Sequence, residues 1–180
     1  QEDIKVKFID EQVEYNTFEL IEEYVKEMER PYIFGFSVMT VAFKRAIFVS
    51  RKLKELYPDS IICFGGIHPT AIPEEVLSYE HINLVVKGEG EYVLPELYRC
   101  IKNGKDFTHI GSISYKKEGK IVDNARLPII NDLDALPPFP YHLFNPKHYD
   151  MGIVYSSRGC PYDCIFCSNT LASGRIYRFR

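Results

Sequence analysis

The chain has 180 residues, of which 46% are hydrophobic and 26% are charged, as expected for an ordinary folded protein with one good core. The formal net charge is −3, and lysine and arginine are scattered along the sequence, which argues against nucleic acid and anionic membranes as primary partners. No apolar stretch reaches the roughly 18 residues that a membrane-spanning helix needs. The first ten residues do not resemble a secretory signal, so we expect a cytoplasmic protein.

The first part of the chain alternates strand and helix patterns. Strands are predicted where apolar residues alternate or run together, at residues 4–9, 32–38, 60–64 and 83–86. The continuous apolar run at 32–38 predicts a strand that is buried on both faces. Helices are predicted where apolar residues recur on one face, at residues 17–28, 42–57, 73–79 and 91–101. In the second of these the apolar face consists of Ala46, Val49, Leu53 and Leu56. This alternation predicts an α/β fold with a doubly wound parallel sheet, Rossmann-like or flavodoxin-like, which binds ligands at the carboxyl ends of its strands.

The pattern changes after residue 110. Residues 112–115 and 120–122 flank a Lys-Lys-Glu-Gly turn, which predicts a β-hairpin, and residues 126–149 contain five prolines, which predicts a linker. A short strand is predicted at residues 153–156. We therefore expect an α/β domain over residues 1–109, a hairpin and linker over 110–149, and the start of a second domain over 150–180, with further chain at both ends.

Three of the five cysteines lie within eight residues in the spacing C-x3-C-x2-C: Cys160, Cys164 and Cys167. Such close neighbours are poor disulfide partners, so the pattern indicates metal ligation in a reducing compartment. Three thiolates from one loop hold three corners of a cubane iron–sulfur cluster and leave one iron open to a small ligand. The alternatives are a structural zinc site that recruits His142 or His148, and a redox pair formed by the last two thiols. Cys63 and Cys100 lie within apolar patterns and are interpreted as buried small hydrophobes without a chemical role.

The cysteine spacing, with Phe166 before the last cysteine, resembles the signature of the radical S-adenosylmethionine (SAM) superfamily. The resemblance implies a [4Fe-4S] cluster whose open iron chelates SAM and supplies the electron that cleaves it to a 5′-deoxyadenosyl radical. It also implies a small-molecule substrate and a reductant such as flavodoxin or ferredoxin. The predicted strand before the loop agrees, because this family places its cysteine loop after the first strand of a partial (β/α) barrel.

Three polar or glycine-rich segments follow the predicted strands of the upstream domain. Their candidate ligand-binding residues are Ser37, Met39, Thr40, Gly65, Gly66, His68, Gly88, Glu89 and Gly90. Hydroxyl groups offer hydrogen bonds, and glycines let the backbone approach a large flat macrocycle, so we expect these segments at one edge of the sheet. Their order, followed by the cysteine loop, resembles the cobalamin-binding domain that precedes the radical domain in one class of radical SAM enzymes. The resemblance implies radical chemistry at an unactivated carbon, by methyl transfer or by cyclisation or rearrangement, as in enzymes of anaerobic tetrapyrrole synthesis.

Two kinds of side chain in these segments have more than one interpretation. The residues around His68 do not match the Asp-x-His-x-x-Gly segment through which many corrinoid proteins ligate cobalt, so we interpret His68 as a loop residue near the corrin or its nucleotide. Glu89 and Glu91 accept bonds from a ligand or stabilise the next helix through its dipole, and the helix role is favoured for Glu91. The alternatives for the domain are a flavodoxin-like or nucleotide-binding module, or a corrinoid-binding module with a structural zinc site and no catalysis. The sequence has neither a G-x-G-x-x-G motif nor a Walker lysine motif, which disfavours the nucleotide alternative.

Overall fold

A computed structural model describes residues 4–144, 146–149, 152 and 154–180. Five strands form one sheet in the order β1 (Ile33–Ser37), β2 (Ile61–Gly65), β3 (Leu84–Val86), β4 (Ile113–Lys117) and β5 (Lys120–Asp123). The first three strands are parallel, with Ser37 opposite Gly65. The predicted hairpin is formed by β4 and β5, and β4 pairs antiparallel with β3, so the hairpin extends the same sheet. The domain boundaries stay a prediction.

Helices cover both faces of this sheet. They are α1 (Thr17–Val25), α2 (Phe43–Leu56), α3 (Ile67–Ala71), α4 (Pro73–Leu77) and α5 (Val93–Lys102). One face carries α1, α2 and α4, with Leu53 and Phe64 in its core, and the other carries α5, with Leu84 and Leu97 in its core. Successive strand residues supply the two cores because they point to opposite faces of a sheet, and each such fully buried side chain contributes about 1.5–3 kcal/mol. The predicted doubly wound α/β fold is confirmed.

The α/β domain differs from the sequence predictions in several places. Residues 4–9 form no strand, and the ring centroid of Phe8 lies 4.7 Å from that of Phe144, so the segment packs on the proline-rich region. Within the described residues β1 is an edge strand and is only half-buried, whereas the sequence predicted burial on both faces. Leu56, which the periodicity placed on the buried face of α2, is 54% exposed at the helix end. The short helix α3 was not predicted, because Pro69 and its short length hide any periodicity.

The last part of the chain packs against the α/β domain. Ile130, Leu133 and Leu136 of the proline-rich region form a small buried cluster of their own. Beyond it lie β6 (Ser157–Arg158), α6 (Asn169–Ser173) and β7 (Arg178–Phe179), and β6 pairs antiparallel with β7. The strand predicted at 153–156 is not observed at residues 154–156, and residue 153 lies outside the described residues. None of the helices in the described ranges is long and apolar enough to cross a membrane.

Candidate functional site

The segments that follow β1, β2 and β3 are joined by hydrogen bonds at one edge of the sheet. The Val38 N–H donates to the Gly65 carbonyl (2.8 Å), and the His68 N–H donates to the Val38 carbonyl (3.2 Å). The Gly88 N–H donates to Oγ1 of Thr70 (2.9 Å), a buried side chain. Residues 37–40, 65–70 and 88–91 therefore form one continuous surface, here called the ligand edge, as expected for the carboxyl ends of parallel strands.

Gly66 is required where the segment after β2 packs against the Val38 backbone, directly after β1. Its φ is +92°, and a Cβ atom there would lie 2.7 Å from the Val38 nitrogen and 2.9 Å from its oxygen. Gly88 also has a positive φ, +72°. A Cβ atom on Gly65 would make only an ordinary contact with the Val86 carbonyl, and a Cβ atom on Gly90 would lie close to the Leu94 side chain. The structure thus gives Gly66 a packing role in addition to any contact with a ligand.

His68 lies in α3, so its assignment to a loop is wrong. The side chain is only 7% exposed, its Nδ1 lies 3.1 Å from Oγ1 of Thr40, and its ring centroid lies 4.2 Å from that of Phe43. Its Nε2 is buried and has no hydrogen-bond partner among the described residues. A buried polar atom left unpaired costs about 1–3 kcal/mol, which favours a ligand or a water beside it.

His68 and Thr40 line a cleft of about 430 Å³ at the ligand edge. Most of its wall is apolar and comes from Phe43, Ile67 and the end of α3. Ser37 and Met39 are exposed on the neighbouring segment and lie outside the cleft wall. An apolar wall with a few polar atoms, one of them unpaired, fits a large, flat and mainly apolar ligand such as a corrin.

Glu89 binds the last part of the chain. Its carboxylate accepts hydrogen bonds from Arg178 (2.9 Å), Arg158 (3.2 Å) and the Ile130 N–H (2.7 Å). Arg178 is buried, and Glu89 is 10% exposed. Burial alone would raise the pKa of Glu89, but the bonds from Arg178, Ile130 and Arg158 prevail and lower it. The Oε1 atom of Glu91 lies 2.5 Å from Arg158. Glu89 and Glu91 together therefore anchor residues 157–180, here called the C-terminal segment, and Glu91 does more than stabilise α5.

A second, more polar cleft of about 490 Å³ lies between this anchor and the C-terminal segment. Its lining includes the segment from Gly88 to Glu91, Tyr155, Arg158 and Gly159. Gly159 has a φ of +87°, and a Cβ atom there would lie 2.0 Å from the Ile176 carbonyl oxygen, so only glycine fits directly before Cys160. The backbone that enters the cysteine loop is thereby fixed.

The three cysteines of that loop are free thiols. Cys160 is half-buried and its N–H donates to the Gly174 carbonyl (3.2 Å), whereas Cys164 and Cys167 are exposed and joined by a backbone hydrogen bond of 3.0 Å. Phe166 is 90% exposed. Three accessible thiols on one anchored loop are a suitable donor set for an iron–sulfur cluster.

The alternative zinc site is not assembled in the described part of the chain. The thiols do not gather with each other, or with His142 or His148, into three ligand atoms within 4.8 Å of one another. A single tetrahedral zinc ion requires sulfur atoms about 3.8 Å apart. A cubane distributes its thiolates over separate irons, so its ligands do not converge on one point.

The cysteine loop adjoins the ligand edge. The helix α6 begins two residues after Cys167 and packs against α3. Ser168, the neighbour of Cys167, lines the same cleft as Thr40 and His68. Consecutive Cα atoms are about 3.8 Å apart, so the cysteine loop reaches the cleft within one residue.

This fold and this edge define a doubly wound α/β domain with a cleft at the carboxyl ends of its parallel strands, where such folds bind ligands. Residues 1–98 match the B12 binding domain family, and because this is more than half of the chain, the chain belongs to that family. The resemblance to radical SAM enzymes with a cobalamin-binding domain, drawn from the order of the motifs, is confirmed.

Curated relatives extend the likeness over nearly the whole chain. An uncharacterised methyltransferase of Pyrococcus horikoshii is 33% identical over 184 residues, which cover 99% of this chain and 40% of the relative. The anaerobic magnesium-protoporphyrin IX monomethyl ester cyclase of Rubrivivax gelatinosus is 32% identical over 182 residues, which cover 93% of this chain and 33% of the relative. The chain therefore spans at most 40% of the length of these relatives.

Solved structures share the fold. The cobalamin-dependent SAM radical enzyme OxsB matches with a TM-score of 0.76 and 25% identity, over 97% of this chain and 25% of that chain. The radical SAM methyltransferase TsrM of Kitasatospora setae matches with a TM-score of 0.71 and 20% identity, over 99% of this chain and 38% of that chain. At its low identity, the TsrM match supports the fold alone.

Proposed function

We propose that this protein acts in cobalamin-dependent radical SAM catalysis. In this proposal the ligand edge binds cobalamin, and Cys160, Cys164 and Cys167 hold a [4Fe-4S] cluster with one iron left open for SAM. When bound, the cluster supplies the electron that cleaves SAM, and cobalamin supplies the chemistry of methyl transfer or of cyclisation and rearrangement.

The observation that carries the proposal is the contact between the ligand edge and the cysteine loop. Ser168 lies in the cleft with His68 and directly follows Cys167, so one region of the surface serves both cofactors. Radical and corrinoid chemistry on one substrate requires such closeness, because short-lived intermediates must react before they meet water.

The residues of the chain have separate tasks in this arrangement. The apolar walls near Phe43 and Ile67 would exclude water from a bound corrin, and the Nε2 atom of His68 would bind a polar group of the ligand or a water. Glu89, through Arg158 and Arg178, holds the cysteine loop against the domain that carries the cobalamin. Fixed positions of this kind keep two reacting groups within reach without a new entropy cost at each turnover.

The substrate and the electron donor follow from the same proposal. The two relatives described above are a methyltransferase and a magnesium-protoporphyrin ester cyclase, so we infer a small-molecule substrate that is methylated or cyclised. The cluster requires a low-potential reductant such as flavodoxin or ferredoxin. It also requires thiols that stay reduced, so we infer a reducing compartment, which for this proposal is the cytoplasm.

Anaerobic reconstitution with iron and sulfide tests the proposal. We expect about four irons and about four sulfides per chain, with broad visible absorption that changes when SAM is added. The triple variant C160S/C164S/C167S should lose the iron and sulfide and still bind cobalamin. Zinc in place of iron in the wild-type chain would contradict the catalytic proposal and would leave a corrinoid-binding module with a structural zinc site.

A further inference from the structure

Three potential metal ligands meet where α5 adjoins the loop between α5 and β4. Glu96, Cys100 and His109 each offer one ligand atom, and these three atoms all lie within 4.8 Å of one another. Glu96 and Cys100 are four residues apart on the helix and so share one face. The Cys100 side chain is only 5% exposed, whereas Glu96 and His109 are exposed, so the group is closed on the side of the core and open to solvent on the other.

The backbone that carries His109 is fixed by one side chain. Nδ2 of Asn124 donates to the carbonyl oxygens of Thr108 and Ile110, the two neighbours of His109, at 2.7 Å each. Ile110 is also buried in the core beneath α5. The imidazole therefore projects from a backbone held on both sides, which lowers the entropy cost of using it as a ligand.

The chemistry of the three groups matches zinc. Thiolate, imidazole and carboxylate are the ligand types that Zn²⁺ takes in proteins, and three protein ligands leave the fourth tetrahedral position for water. A thiolate disfavours Mg²⁺ and Ca²⁺, which prefer oxygen ligands. In a zinc site the ligand atoms stand about 3.3–3.8 Å apart, so side-chain adjustments of about 1 Å close the present group around an ion.

Charge and orientation also suit a divalent cation. A thiolate at Cys100 and a carboxylate at Glu96 balance the two charges of the ion, so the partly buried site carries no net charge. Nη1 of Arg99 donates to Oε2 of Glu96 at 3.1 Å, which helps to orient the carboxylate, and a carboxylate offers a second oxygen to a metal.

From these observations we propose that Glu96, Cys100 and His109 bind one zinc ion, here called the α5 metal site. None of the three residues lines either cleft or belongs to the cysteine loop. A bound ion would link α5 to the loop that leads into β4 and so stabilise the α/β domain independently of either cofactor. The proposal does not depend on the proposed function.

Cobalt substitution tests the site, because thiolate ligation of Co²⁺ gives a charge-transfer absorption that other ligands do not. The variant C160S/C164S/C167S removes the competing thiols of the cysteine loop. We expect this chain to bind one equivalent of Co²⁺ with the thiolate absorption, and Zn²⁺ to displace it. Adding C100S should abolish the absorption, and adding H109Q should weaken binding at least tenfold, while H142Q, at another exposed histidine, should have no effect.

The zinc content of the native chain gives a second test that needs no cysteine variant. With the cysteine loop reconstituted with iron and sulfide, the wild type and H142Q should each retain about one zinc after dialysis against trace Zn²⁺, and H109Q should retain none. His109 is exposed, so H109Q leaves the core unchanged even if C100S disturbs it. The α5 metal site would be overturned if the cobalt–thiolate absorption were absent, or if H109Q and H142Q bound equal amounts of metal. Both outcomes are independent of the iron content of the cysteine loop.

Discussion

Replacing Glu89 by Gln is expected to loosen the C-terminal segment from the α/β domain. Removing one member of a buried ion pair typically costs about 3–5 kcal/mol. The cost here should be smaller, because Gln keeps one acceptor and Arg178 keeps the carbonyls of Ile130 and Ser173, each at 2.6 Å. We therefore expect E89Q to cost about 2–3 kcal/mol. This corresponds to an increase of about 30-fold to 160-fold in the population of molecules whose C-terminal segment has separated from the α/β domain.

The effect should depend on pH with a defined sign. The pKa of Glu89 in the folded protein lies below its ordinary value of 4.5, so the stabilisation by the carboxylate is complete above about pH 5. It is lost as the pH falls through the lowered pKa, where the wild-type carboxyl becomes neutral. The difference between the wild type and E89Q should therefore shrink toward zero in strong acid.

Hydrogen exchange of residues 157–180 measures this opening directly. At neutral pH, E89Q should exchange about 30-fold to 160-fold faster in this segment, whereas E23Q, at an exposed position of α1, should match the wild type. If E89Q exchanged at the wild-type rate, the ion pairs of Glu89 would not hold the cysteine loop and the anchoring role would be refuted.

Two further predictions concern the α/β domain. The change Gly66→Ala should lower the free energy of unfolding by about 2 kcal/mol or more and weaken cobalamin binding. The reason is that the alanine Cβ would clash with the Val38 backbone and that residue 66 has a positive φ. Urea denaturation measures the loss, and Gly35→Ala is the control, because a Cβ at residue 35 meets no atom within 4 Å. The pKa of His81 is lowered by burial and by nearby cations, and its Nε2 lies 2.9 Å from Oγ of Ser50. The folded protein favours neutral His81, so the stability that this residue contributes is complete above pH 6.5 and is lost as the pH falls below it. The variant His81→Asn should therefore show a smaller fall in Tm between about pH 7 and pH 5 than the wild type. An equal fall in Tm in both proteins would contradict this.

The sheet and its covering helices could be predicted because their signals are local. The buried run that contains Phe64 and the helical spacing of Ala46, Val49 and Leu53 depend only on neighbouring residues, and all four are buried. Residues 4–9 show the limit of such signals, since alternation describes a pleat but does not specify a partner strand.

The candidate site divides in the same way. The glycine and hydroxyl segments could be placed at one edge, because that follows from the direction of parallel strands. The ion-pair partners of Glu89 could not be predicted from the sequence, because Arg158 and Arg178 lie 69 and 89 residues further along the chain. The α5 metal site was missed because His109 joins it through a loop whose path is set by Asn124.

The most direct test of the central claim is whether the two cofactors lie side by side. Electron paramagnetic resonance of the chain loaded with cob(II)alamin and a reduced cluster reports this, because two neighbouring paramagnetic centres broaden or split each other's signals. We predict such coupling in the wild type, with an uncoupled cob(II)alamin signal in C160S/C164S/C167S. A wild-type spectrum that is the simple sum of two isolated centres would contradict the shared site.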